Sequence, residues 1–263
     1  MTTPTGGSAE HDWRHHLPRS SDVHPATWML QTLRPPVRRL LQHRFEVEVH
    51  GSDVVPEQGP VILAANHLGI IDGPLLAVFA PRPVHALTKR EMFVGRLGGF
   101  LLRSGQIPVE RYDFDPGAVK TTLRVLRDGG AVGIFPEGTR GDGELHRFHH
   151  GAAYLALVTG APVVPVTFVG TRVPGGHINS VPPRGSRIDI VFGETWTTAQ
   201  TPWPRRRGEL LATSRRLMDH MHGTLSDALD RTGRSLPGPL PGSEHGDDPD
   251  TGFVEPTREP GAS

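Results

Sequence analysis

The chain has 263 residues, with 28 Lys and Arg balancing 28 Asp and Glu, and no cysteine. That length allows one sizeable domain or two small ones, and the missing cysteine removes disulfide frameworks, thiolate metal sites and cysteine nucleophiles. The neutral total hides a basic middle: residues 235–263 hold six acids and one base, residues 1–24 three acids and two bases, and residues 25–234 therefore carry +6.

The first 25 residues are polar, without a signal-peptide core, and no run reaches the ~18 to 20 apolar residues that span a bilayer. The expectation is a cytosolic or membrane-surface protein. Residues 1–23 and 233–263 hold too few large apolar side chains to offset ordering and are expected to be disordered, the latter as an acidic Pro/Gly-rich tail. Pro25–Phe45 mixes Trp28, Met29, Leu33, Val37, Leu40 and Leu41 with Arg34, Arg38, Arg39 and Arg44 around Pro35-Pro36. This predicts short amphipathic helices suited to a membrane interface, or alternatively a core-packing helix with solvated arginines.

Beyond it, short apolar runs at Val61–Ala65, Val84–Leu87, Ile107–Val109, Val132–Phe135, Val163–Val169 and Ile188–Phe192 are bounded by Gly, Pro or charge and predict buried strands. Between them Pro74–Phe79, Arg90–Leu102, Pro116–Arg127 and Ala152–Val158 carry helical spacing, and a long helix is predicted near Glu209–Leu229. Alternation of this kind predicts an α/β fold, a sheet with helical cover.

Three His-x4-Asp pairs occur, where chance spacing gives about one. His245/Asp250 falls in the expected tail, and His222/Asp227 on the last helix would stand about 140° apart around its circumference. His67/Asp72 instead occupies the turn after Val61–Ala65, where α/β proteins gather catalytic groups. Asp72 folded back onto one imidazole nitrogen would leave the other as a general base; the alternative is that Asp72 caps the following helix. No G-x-S-x-G elbow is present, so the attacking group is expected to belong to the substrate, for example an alcohol.

Phe135-Pro136-Glu137-Gly138-Thr139-Arg140 follows another strand. Gly138 permits a tight turn, Glu137 and Thr139 can bond hydroxyls, and Arg140 can hold an anion; a turn with a structural Glu–Arg pair is the alternative. Lys89 and Arg111 also follow strands, so one sheet edge is expected to gather a base and several cations.

In this order the motifs resemble the phospholipid/glycerol acyltransferases, especially bacterial 1-acyl-sn-glycerol-3-phosphate acyltransferases. Asn66-His67-Leu68-Gly69-Ile70-Ile71-Asp72 matches their NHx4D motif, Lys89-Arg90-Glu91-Met92-Phe93 resembles the segment after it, and Gly105–Arg111 resembles the second motif. Phe135–Arg140 matches FPEGTR and Ala161–Val166 the fourth, proline-containing strand. The resemblance implies a mixed, largely parallel sheet covered by helices and preceded by a short helical segment, with residues 51–232 as the acyltransferase domain and 24–50 as an amphipathic helical interface segment. It implies that His67 deprotonates the free hydroxyl of a lysophospholipid, that Asp72 orients the imidazole, and that Lys89, Arg111, Glu137, Gly138, Thr139 and Arg140 hold the glycerol phosphate. Acyl-CoA or acyl-carrier protein would be co-substrate, with no metal, prosthetic group or nucleic acid, at the cytoplasmic face of the membrane. Phe148-His149-His150-Gly151 departs from the family's Phe-Lys-x-Gly, which bears on the acceptor head group more than on the chemistry. A different lipid alcohol as acceptor, or a non-catalytic lipid-binding protein, are the alternative functions.

Overall fold

The computed structural model describes residues 20–110 and 115–241. In chain order it contains α1 (Trp28–Thr32), α2 (Arg34–Arg44), β1 (Glu46–His50), β2 (Val61–Ala65), α3 (Asp72–Phe79), β3 (Val84–Lys89), α4 (Gly95–Arg103), β4 (Ile107–Val109), α5 (Pro116–Arg127), β5 (Ala131–Ile134), α6 (Gly151–Thr159), β6 (Val163–Val169), β7 (Arg187–Phe192) and α7 (Arg207–Thr232). One seven-stranded sheet runs in the order β1-β7-β6-β2-β5-β3-β4. Every neighbouring pair is parallel except β6 with β7, so the expected mixed, largely parallel sheet is present, preceded by short helices.

The continuous apolar runs are explained by cover on both faces. Along β2, Ile62 and Ala64 join α5, α6 and α7 in one core layer, while Val61, Leu63 and Ala65 join α3, β1 and β7 in the other. All five β2 residues and all seven β6 residues are buried. Full burial of side chains such as Ile62 and Leu63 stabilises by about 1.5–3 kcal/mol each, before the cost of ordering the chain.

The expected helical span 24–50 ends in a strand. Glu-Val-Glu-Val-His alternates with period two, and β1 forms an edge of the sheet with Val47 and Val49 turned to the core and both glutamates outward. Val37 and Leu41 of α2 also pack inward on that core, Arg38 lies 5.1 Å over the Phe79 ring and the Arg34 guanidinium donates to the Ala80 carbonyl. Thus the apolar side of α2 is used in folding, and Leu40 is its exposed large apolar residue.

Both ends of the described chain make contacts with the domain. The Ser21 amide donates to the Lys120 carbonyl at 3.0 Å and Arg124 donates to the Asp22 carbonyl at 3.1 Å, holding residues 20–23 on α5. After α7, Leu236 packs on the core, Pro237 is buried, and Arg234 pairs with Asp189 at 3.0 Å. A few anchoring contacts of this kind suffice to dock a Pro/Gly-rich segment. Residues 1–19 and 242–263 of the expected tails lie outside the described residues.

Candidate active site

The parallel register between β2 and β5 builds the site. Ala64 pairs with Ile134, so His67 and Glu137, each three positions further on, leave the sheet side by side. Strand neighbours stand about 4.8 Å apart, within side-chain reach of the adjacent backbone. The His67 amide donates to Glu137 Oε1 at 2.8 Å, and the Gly141 amide donates back to the His67 carbonyl at 2.8 Å. Glu137 is almost fully buried; burial pushes its carboxyl well above the ordinary carboxylate range, the His67 amide opposes this, and Asp142 and Asp72 add to it. This differs from the expected role of a hydroxyl-binding side chain: Glu137 fixes the backbone of the histidine.

Asp72 is the first residue of α3, and its side-chain hydrogen bonds go to residues before that helix. Its Oδ2 turns back into the preceding turn and accepts from His67 Nδ1 at 2.8 Å, the Leu68 amide at 2.7 Å and the Gly69 amide at 2.8 Å. The helix-cap alternative is therefore replaced by the dyad. The carboxylate is fully buried while the imidazole is 19% exposed, so one ring nitrogen is occupied by the acid and the ring edge still meets the surface. Holding Nδ1 against a carboxylate selects the tautomer whose Nε2 carries the lone pair, the form required of a general base.

Other residues shape the pocket around the ring. Phe135 stacks on His67 with centroids 4.2 Å apart, and Asn66 clasps β6 by accepting from the Phe168 amide at 2.7 Å and donating to its carbonyl at 3.2 Å. Gly69 passes so close to Thr171 that an added Cβ would stand 2.6 Å from the Thr171 carbonyl oxygen. Gly138 has φ +68°, and its missing Cβ leaves room for the His149 imidazole. Asn66, Gly69 and Phe135 belong to the two matched motifs, which is the only sequence signal for their roles.

Of the predicted cations, Lys89 ends β3, half-buried. Ala86 pairs with Gly133, which places Lys89 level with Pro136, two strands or about 10 Å from the β2 end. Arg140 donates to the Ile178 carbonyl at 3.0 Å and to Asn179 Oδ1 at 2.9 Å, across to the loop between β6 and β7. Gly138 and Thr139 lie with it at the β5 end, partly buried. Arg111 lies outside the described residues.

A residue the sequence did not single out, Arg172, is buried behind this loop. It donates to the Gly141 carbonyl at 3.1 Å, the Gly176 carbonyl at 3.2 Å and the Gly238 carbonyl. Burial lowers its pKa, opposed by Asp142 and Asp72. His150, from the departing His pair, bonds Ser214 Oγ at 3.0 Å, and burial, His149 and Arg207 lower its pKa.

The described helices include none long and apolar enough to cross a membrane. Residues 46–169, from β1 to the end of β6, match the family model described as Acyltransferase. The 1-acyl-sn-glycerol-3-phosphate acyltransferase of Bacillus subtilis (strain 168) is 32% identical over 133 residues, 50% of this chain and 66% of that protein. A human relative, 1-acyl-sn-glycerol-3-phosphate acyltransferase beta, is 33% identical over 126 residues, 46% of this chain and 45% of its own. The chain thus spans about two thirds of the first relative and under half of the second. In fold it is similar to the 1-acyl-sn-glycerophosphate (LPA) acyltransferase of Thermotoga maritima, with a TM-score of 0.57 and 21% identity, covering 79% of this chain and 81% of that one. With the His67/Asp72 dyad and the Glu137–Arg140 turn at adjacent ends of β2 and β5 inside the matched region, the chain belongs to the acyltransferase family.

Proposed function

We propose that this protein transfers a fatty acyl group from a thioester, acyl-CoA or acyl-carrier protein, to the free hydroxyl of 1-acyl-sn-glycerol-3-phosphate, yielding phosphatidic acid. The observation that carries this reading is the buried Asp72 carboxylate on Nδ1 of a partly exposed His67, beside the Glu137–Arg140 turn. His67 Nε2 takes the hydroxyl proton as the oxygen attacks the thioester carbonyl carbon. The carbon–sulfur bond then breaks, and the imidazolium returns its proton to the departing thiolate. Asp72 stabilises the imidazolium in between, while Lys89, Arg111 and Arg140, with Glu137, Gly138 and Thr139 shaping the turn, hold the phosphate of the acceptor. Working on a lipid acceptor, the protein acts peripherally at the cytoplasmic face of the membrane.

The test is acyl transfer from a radiolabelled acyl-CoA to purified lysophosphatidic acid. His67→Ala is expected to lower the rate by about 10²–10⁴, the usual worth of a general base, with the circular dichroism spectrum unchanged. Transfer at the parent rate by that folded variant would remove His67 from the chemistry. The His149/His150 pair, where relatives commonly carry a lysine, favours a second reading in which the acceptor bears another head group. In that case a panel of lipid alcohols would show lysophosphatidic acid as a poor substrate.

A further inference from the structure

A crossover helix between parallel strands ordinarily turns its apolar side to the sheet. The helix α4, which connects β3 to β4, does the reverse. Of its nine residues Gly98 is buried, closely apposed to the Phe93 backbone. Leu97, Phe100 and Leu102 are 49%, 47% and 54% exposed, and Val94 just before the helix is 67% exposed. At about 100° per residue, Leu97 and Phe100 lie within about 60° of each other on the side away from Gly98, with Arg96 and Arg103 within about 60° of Phe100 along its edge, while half-buried Leu101 and exposed Leu102 lie toward the Gly98 side. Gly95–Arg103 contains no acid. An outward apolar arc edged by arginine is the pattern of a helix lying in a membrane interface, and nine residues are too few to cross one.

We infer that α4 seats the chain on an anionic phospholipid surface, an inference that rests on the lipid acceptor proposed above. Charge selects the occupant: the guanidinium groups of Arg96 and Arg103 suit anionic head groups beside an apolar arc that suits acyl chains. Position supports it as well. Lys89 closes β3, and the 3-10 turn Arg90–Met92 with Phe93 and Val94 leads from it to the helix, so a bilayer held at α4 lies close to the site's proposed cation. The helices α1 and α2 offer less, because Val37 and Leu41 pack inward and Trp28 and Leu40 are their exposed large apolar residues.

The experiment is co-sedimentation of the full chain with vesicles of phosphatidylcholine, with and without phosphatidylglycerol. Leu97→Ser/Phe100→Ser is expected to lower partitioning onto mixed vesicles by about tenfold or more. Arg96→Gln and Arg103→Gln should each lower it about fivefold on mixed vesicles and leave pure phosphatidylcholine unaffected. Transfer to a soluble short-chain acceptor should stay at the parent rate in all these variants, which also shows that they fold. Parent-like sedimentation of Leu97→Ser/Phe100→Ser would overturn the inference. So would a dimer in sedimentation velocity that this variant disperses, or a loss of transfer confined to carrier-protein thioesters, since those outcomes give the face to a second copy or to the donor. A parent chain that binds vesicles through α4 but acylates no acceptor would uphold the surface and overturn the proposed reaction instead.

Discussion

Replacing Asp72 with Asn separates the charge of the dyad from its shape. In the parent, Oδ2 alone accepts from His67 Nδ1, Leu68 N and Gly69 N, while the buried Oδ1 has no hydrogen-bond partner among the described residues. An asparagine oxygen at the Oδ2 position keeps all three bonds, so the turn and the histidine tautomer persist. What is lost is the negative charge facing the imidazolium as it forms. Opposite charges about 4 Å apart at an effective dielectric near 20 attract by about 4 kcal/mol, and a charge-assisted bond exceeds a neutral one by roughly 1 kcal/mol. Because the remaining amide dipole recovers part of this, the barrier should rise by about 2–4 kcal/mol, lowering kcat roughly 30- to 1000-fold. The buried carboxylate faces the histidine and backbone, so KM for the acceptor should stay within about twofold. The asparagine NH2, placed where Oδ1 found no partner, costs about 1–3 kcal/mol of stability as a buried unsatisfied donor. Asp72→Ala would remove the acceptor of two buried amides as well, about 2–6 kcal/mol, and would confound activity with unfolding in a domain stabilised by some 5–15 kcal/mol. Steady-state thioester release and thermal unfolding on the same preparation decide the matter. A kcat within threefold of the parent, in a folded Asp72→Asn protein, would refute the dyad.

Glu137→Gln keeps an oxygen for the His67 amide and removes a buried carboxyl whose native pKa is raised. Since the unfolded carboxyl ionises near 4.5 and the folded one only at higher pH, Glu137 lowers parent stability progressively from pH 4.5 upward. The melting temperature of the glutamine variant should gain on the parent across that rise, and parallel melting curves at all pH values would contradict the assigned burial. Asp189 behaves oppositely: burial would raise its carboxyl, but hydrogen bonds from His50, Arg234 and Arg187 outweigh this and hold it below 3.8. Asp189→Ala should cost about 1.5–3 kcal/mol at neutral pH, with the difference from the parent shrinking as pH falls below the ordinary value, measured by urea unfolding. An unchanged midpoint would show that the Arg234 contact does not dock the segment after α7.

How much of this was legible depended on what each residue's neighbours had to be. β2 and β6 announced themselves because strands covered on both faces must be apolar throughout. β1 stayed hidden because an edge strand with both glutamates outward follows directly on an arginine-rich helix and shares its polarity. The helix expected over 90–102 begins only at Gly95, since Arg90–Met92 closes into a 3-10 turn and Gly95 takes φ +56°. At the site, His67 and Asp72 were visible from their place after a strand, whereas the role of Glu137 was not. That it bonds the His67 amide depends on β2 and β5 being adjacent and in register, and register between strands 70 residues apart leaves no local mark. Arg172 left none either, because a single arginine after a strand looks like surface until the carbonyls it gathers are known.

Those carbonyls change the meaning of the basic middle of the chain. Arg82 donates to the Pro56 and Gly59 carbonyls at 3.0 and 2.8 Å and to the Gly129 carbonyl, Arg34 to Ala80, and Arg172 to Gly141, Gly176 and Gly238. A planar fork of five donors is well matched to tying loop ends together, and much of the +6 carried by residues 25–234 serves folding. The exception is informative. Among 28 basic residues only Lys89 and Lys120 are lysine, and Lys89 is the one at a strand end, two strands from the dyad. A compact ammonium on a flexible stem suits the phosphate-holding role proposed above, because it does not lock onto neighbouring carbonyls as a guanidinium does. Net charge alone therefore does not locate a binding surface, because part of it is held by backbone carbonyls within the fold.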